Sequence, residues 1–215
     1  MNTKVELKVQ DLIQKVVPQA MSYKAYRSLV EDLASAGDTT GEIKSEALIN
    51  YTQLNNRRMR RWDKTLKLNE AQIQQILAFK GKVTWLVLTE SWCGDAAPSL
   101  PVMNKIAELH SGITLRIVLR DEHLELMDQF LTAGTRSIPK LIMVDEDTHH
   151  VLGEWGSRPG KATAMVEAFK KEHGTLTAEF KEELQGWYNK DKGKDIIEDL
   201  LGLLTLKDVR DGSDL

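Results

Sequence analysis

Val83-Thr84-Trp85-Leu86-Val87-Leu88-Thr89-Glu90-Ser91-Trp92-Cys93-Gly94-Asp95-Ala96 is the stretch on which the fold turns. Its first half is a continuous apolar and β-branched run, the pattern of a strand buried on both faces. Trp92-Cys93-Gly94-Asp95-Ala96 then stands where that strand hands over to a helical segment running to His110. Beyond it, Ile113, Leu115 and Ile117 alternate with Thr114, Arg116 and Val118, the mark of a strand with one wetter face. Leu124, Met127, Phe130 and Leu131 form a helical stripe. Leu141-Ile142-Met143-Val144 is a short apolar strand, followed by the turn-like Asp145 to Thr148 and a strand near 149–155. Ala162, Met165, Val166 and Phe169 close the unit with a helix. The order β-α-β-α-β-β-α argues for an α/β sheet covered by helices.

On both sides of this unit the periodicity is helical. Upstream, Val9, Leu12, Ile13 and Val16 recur at helical spacing, as do Tyr26, Leu29, Val30 and Leu33, with Pro18 as the break between them. The stretch from Ala36 to Gly41 is turn-rich. A longer helix carries Leu48, Tyr51, Leu54, Met59 and Trp62, and a shorter one covers about Glu70 to Phe79, with Gly81 as its stop. Downstream, Leu176, Phe180, Leu184, Trp187 and Tyr188 make one stripe. Ile196, Ile197, Leu200, Leu201, Leu203 and Leu204 make a broader one, too apolar to be left in water. The chain therefore divides into a helical N-terminal extension (1–68), a central α/β domain (69–173) and a helical C-terminal extension (174–215). The extensions are expected to cap the sheet edge or to form a homodimer, and the sequence does not choose between these.

Composition excludes several classes. With 215 residues, 41% hydrophobic and 28% charged, the chain has what an ordinary globular core needs. The formal charge of −3 removes a general argument for nucleic-acid binding. No apolar run approaches the ~18 residues of a membrane span. The N-terminus carries charges throughout and lacks the apolar block of a signal peptide, so a cytoplasmic location is expected. The single cysteine, Cys93, excludes a disulfide scaffold.

Cys93 is also the one obvious chemical group. A sulfur between a strand and a helix faces unpaired backbone N–H groups and the positive end of the helix dipole. Both favour thiolate, the nucleophilic form. The alternative reading is a small buried hydrophobe.

The unit resembles the thioredoxin fold over roughly residues 70–172. Trp92-Cys93-Gly94 matches the family's W-C-G-x-C motif between its strand and helix. Pro101, five residues past Ala96, stands where the family has its helix-kinking proline. Ser137-Ile138-Pro139 precedes a strand as the family's cis-proline loop does. The resemblance implies a thioredoxin-like fold, with a cis bond before Pro139 that brings this loop to Cys93. Such a bond costs only ~0.5–1 kcal/mol.

The departures are as informative. Ala96 replaces the family's second cysteine, so no dithiol–disulfide cycle runs within one chain. Val87 stands where the family has a buried acid, and Asp95 replaces the motif's proline. A carboxylate there suits a helix N-terminus but opposes thiolate formation.

Two functions follow from this resemblance. In the first, the protein is a monothiol thiol-disulfide oxidoreductase acting on a protein disulfide or thiol. Cys93 forms a mixed disulfide that an external thiol such as glutathione resolves, and no other cofactor is expected. Trp92, Gly94, Asp95 and Ala96 complete the motif. Ile138 and Pro139 offer a backbone edge to an extended peptide. Arg136 supplies positive charge near the sulfur or a ligand carboxylate, its alternative being a solvated loop arginine. The Cys93 pKa is then expected below the ~8.5 of a free cysteine, with Asp95 limiting the fall. In the second, the domain is a degenerate thioredoxin fold that binds a partner without turnover.

Other candidates are weaker. Arg57, Arg58, Arg60 and Arg61 fan around a helix and read as a solvated face, pairing with acidic neighbours. His149 and His150 point to opposite faces of a hairpin, and no cluster has zinc spacing, so no metal is expected. Glu90 reads as a strand-end glutamate, Gly153 and Gly156 as shapers of the last strand, and Trp92 as packing over the sulfur.

Overall fold

A computed structural model of the chain describes residues 3–211. Four helices come first: α1 (Thr3–Val16), α2 (Tyr23–Ala36), α3 (Glu46–Thr65) and α4 (Glu70–Leu77). The central unit follows as β1 (Val83–Thr89), α5 (Ala96–Ala107), β2 (Ile113–Leu119), α6 (Leu124–Met127), β3 (Lys140–Asp145), β4 (Val151–Gly156) and α7 (Gly160–His173). Two further helices, α8 (Ala178–Asp191) and α9 (Lys194–Asp211), complete the described residues. The order β-α-β-α-β-β-α is the one the apolar patterning predicts.

The strands form one sheet in the order β2-β1-β3-β4. β1 runs parallel to β2 and antiparallel to β3, and β3 is antiparallel to β4. Every residue of β1 is buried, as a strand covered on both faces requires. β2 lies at the flank, where Thr114 and Arg116 are half-buried between the buried Ile113, Leu115 and Ile117. One stripe is shorter than its spacing predicts. α6 ends at Met127, and Phe130 closes a turn onto the Met127 carbonyl. The chain then reverses through Thr132 and Thr135, which bond each other's backbone in both directions, so Leu131 is left exposed.

The helical extensions cover the sheet. Met21, just ahead of α2, donates to the Ile117 carbonyl at 2.8 Å and accepts from its N–H at 2.9 Å. That pairing shields the edge of β2, which would otherwise present unpaired backbone. α1 and α2 bury Ile13, Tyr26 and Val30 in the common core. At the other edge α9 lies on β4. A Cβ on Gly153 would sit 2.8 Å from Leu203 Cδ1, so the missing side chain is what admits the Leu-rich helix. Burying each of Ile196, Ile197, Leu200, Leu201, Leu203 and Leu204 of α9 contributes roughly 1.5–3 kcal/mol relative to leaving it in water.

α3 packs along α5 and α2, and α8 reaches the opposite side of the β1–α5 turn through Gln185 and Tyr188. The loop carrying Cys93 is therefore covered from two directions.

Candidate functional site

The Trp92–Ala96 loop is fixed first by hydroxyls. Ser91 Oγ lies 2.7 Å from Thr52 Oγ1 of α3 and accepts from the Thr40 N–H at 3.0 Å. The Ser91 N–H donates to Thr40 Oγ1 at 2.9 Å, and Asn55 of α3 donates to the Ser91 carbonyl at 3.1 Å. All four residues are buried, so these bonds replace water that the loop cannot reach. The turn-rich segment near residue 40 thus straps the loop to α3.

From the other side α8 holds the second half of the motif. Gln185 Nε2 donates to the Gly94 carbonyl at 3.2 Å, and the Tyr188 hydroxyl donates to Asp95 Oδ1 at 3.0 Å. Arg158, just past β4, places Nη2 2.7 Å from Asp95 Oδ2. The Asp95 carboxylate does not cap α5, where the sequence places it; it turns inward to this arginine and tyrosine. Burial pushes its pKa up, opposed chiefly by the Arg158 charge. Burial and the neighbouring Asp95 raise the Tyr188 phenol in turn.

Cys93 is 6% exposed. Its Sγ donates to the Ile138 carbonyl at 3.2 Å, and the Ile138–Pro139 bond is cis. The loop expected to meet the cysteine does so, through the Ile138 carbonyl. The expected drop in thiol pKa does not occur. Burial pushes the Cys93 thiol up to about 12, and the Asp95 carboxylate adds to the rise. The N–H groups of Ala96 and Asp95 and the Arg158 charge pull it down, but by less. Helix-terminal stabilisation of a thiolate is present and is outweighed by desolvation.

A cavity of about 550 Å³ opens beside this loop, within the range of small-molecule sites. Trp92, Cys93, Gly94, Asp95, Arg136 and Ile138 all line it. Ala96 (2% exposed) and Pro139 are buried behind it. Arg136 is exposed at the rim and already holds Asp128 in a two-point pair, with contacts of 2.6 and 2.8 Å. Trp92 is half-buried, with the Arg120 guanidinium 5.0 Å from its ring centre. Glu90 lies elsewhere: it is buried, accepts from the Asp121 N–H at 2.9 Å, and lines a separate cavity.

Sequence reasoning missed three participants. Tyr188 and Gln185 sit 93 and 91 residues from the groups they hold, on a helix whose stripe reads only as packing. Arg158 precedes a proline after β4 and carries no motif. A fourth residue, Arg58, belongs to a basic run that fans around α3 and reads as solvated. The run splits: Arg57 is exposed, Arg60 pairs with Glu31 at 2.5 Å, and Arg58 lines the cavity.

In comparisons with known proteins, no curated protein matches the chain. Among solved structures, an HIV epitope scaffold superposes with a TM-score of 0.55 at 19% identity, covering 86% of this chain and 98% of that one. A protein of unknown function from Pseudomonas aeruginosa gives 0.53 at 18% identity, with the same coverage. At such identities the likeness concerns the fold alone. A thioredoxin family model matches residues 41–170, more than half of the chain and including α3, the Cys93 loop and the cis-proline loop, so this chain belongs to the thioredoxin family.

Proposed function

We propose that this protein is a binding module of the thioredoxin fold, whose groove beside Cys93 takes a ligand and whose thiol stays neutral and does not turn over. One observation carries this reading: the Cys93 thiol is buried and spends its proton on the Ile138 carbonyl, with the Asp95 carboxylate close by. A nucleophilic cysteine needs the opposite surroundings, partial exposure and a net positive field. The second motif position is given over to structure, since Ala96 supplies no resolving thiol and Asp95 is bound by Arg158 and Tyr188.

The monothiol oxidoreductase reading keeps one specific support. Cys93 lines the cavity, and the backbone N–H groups of Asp95 and Ala96 act to lower its pKa. Incubating the folded protein with oxidised glutathione near pH 7.5 and weighing it separates the two. The binding reading expects no glutathionyl adduct on the native chain and a full adduct once the chain is unfolded. Stoichiometric glutathionylation of the native chain would overturn it in favour of a monothiol enzyme.

A further inference from the structure

We propose that the cavity beside Cys93 binds a small organic acid with an apolar body, its carboxylate on Arg58 and its body along Leu54, Tyr51 and Leu48. The proposal rests on the binding-module reading and names its ligand class.

The geometry comes from one face of α3. Leu48, Tyr51, Leu54 and Arg58 recur at intervals of three or four residues, so they stack along one wall of the cavity. At 1.5 Å rise per residue this wall is about 15 Å long. Three apolar side chains occupy one end and a guanidinium the other. Leu176 and Leu184 line the facing side.

The cations around the cavity are not equivalent. Arg158 is bound to Asp95, Arg136 to Asp128 and Arg120 to Asp121. Arg58 has no carboxylate within ion-pair distance among the described residues; Nη1 donates to the neutral Asn55 Oδ1 at 3.2 Å. It is half-buried, with Nη1 3.8 Å from where a Gly94 Cβ would stand. On α8, Lys181 and Glu182 lie exposed at the lining, one of each sign, where water screens both. The cavity therefore keeps one partly desolvated guanidinium without a direct ion pair, attracted by Asp95 only from a distance, at the end nearest the Cys93 loop. A guanidinium presents a planar fork that matches a carboxylate, and pairing there strengthens as water is displaced. Losing some hydration already lowers the Arg58 pKa, which a bound anion would reverse. A ligand that is only apolar leaves the guanidinium short of water and unpaired; one that is only anionic leaves the leucines wet.

Calorimetry with decanoate and 1-decanol on the full-length protein tests this, using a matched pair that differs in the charged head. Decanoate should bind one per chain, at least tenfold more tightly than 1-decanol. Arg58→Gln should weaken decanoate at least tenfold and leave 1-decanol unchanged. Tyr51→Ala, at a position exposed enough to tolerate it, should weaken both alike. Equal affinity for acid and alcohol, no binding of decanoate, or an Arg58→Gln variant that binds decanoate normally would each overturn the ligand class. The glutathione experiment is independent of this one, so a chain that ignores decanoate and also resists glutathionylation loses this ligand and keeps the binding-module reading.

Discussion

Two arginines approach the same loop and are used in opposite ways. Arg158 comes from the end of β4, reaches Asp95 at 2.7 Å and is consumed by it. Arg58 comes from α3, stands over Gly94, hydrogen-bonds a neutral amide and feels the Asp95 charge without forming an ion pair with it. The first sits where the family's second cysteine half of the motif has become structure. The second sits where the cavity is open. The contrast teaches that charge near a cysteine does not by itself activate the sulfur: Arg158 lowers the thiol pKa, yet the carboxylate it pairs with raises it by more.

Breaking the consumed arginine should have the largest effect. Arg158→Ala leaves the Asp95 carboxylate buried without its counter-ion, and should cost about 3 kcal/mol in urea unfolding. Tyr188→Phe removes one hydrogen bond to the same carboxylate while keeping the ring packed, and should cost about 1.5 kcal/mol by the same measurement. Asp95→Asn sharpens the comparison. It removes a buried charge whose ionised form burial already disfavours, so the net change should stay within about 1 kcal/mol. It should also lower the Cys93 pKa, because the repelling anion is gone and Arg158 is released, and so speed alkylation of Cys93 near pH 8. Arg58→Gln should move stability by no more than about 0.5 kcal/mol, since no ion pair is lost. If Arg58→Gln destabilises as much as Arg158→Ala, the two arginines share one structural role and the contrast fails.

Much of the fold was legible in the sequence because burial writes itself into periodicity. A strand apolar at every position, Val83 to Leu88, can only be interior, and the alternation from Ile113 to Val118 places that strand at a flank. The order of Trp92-Cys93-Gly94, Pro101 and Ile138-Pro139 was enough to bring the cis-proline loop to the sulfur, though the hydrogen bond there is made by the Ile138 carbonyl and not by the expected Pro139. The protonation state was not legible. It depends on how deeply α3 and α8 cover the loop, which is set by contacts from Thr52, Asn55, Gln185 and Tyr188, far away in the chain. Local reasoning about a helix N-terminus counted the N–H groups that lower the pKa and had no measure of the desolvation that raises it. The basic run was read as solvated throughout, which holds for Arg57 and Arg60 and misses Arg58 for a related reason. Arg57, Arg58, Arg60 and Arg61 have the same chemistry and differ only by rotation about the helix axis, and only the packing of α3 decides which one faces the cavity.

The charge of Cys93 in the native protein decides between a neutral binding-site thiol and a nucleophile. The rate of its alkylation by iodoacetamide, followed by mass spectrometry from pH 6 to pH 10 on the folded chain and again in denaturant, reads that charge. A thiol held neutral up to about 12 should react far more slowly in the folded chain than in the unfolded one, with no inflection across this range. An inflection below the ~8.5 of a free cysteine, with the folded chain reacting as fast as the unfolded or faster, would contradict the account and restore Cys93 as a nucleophile.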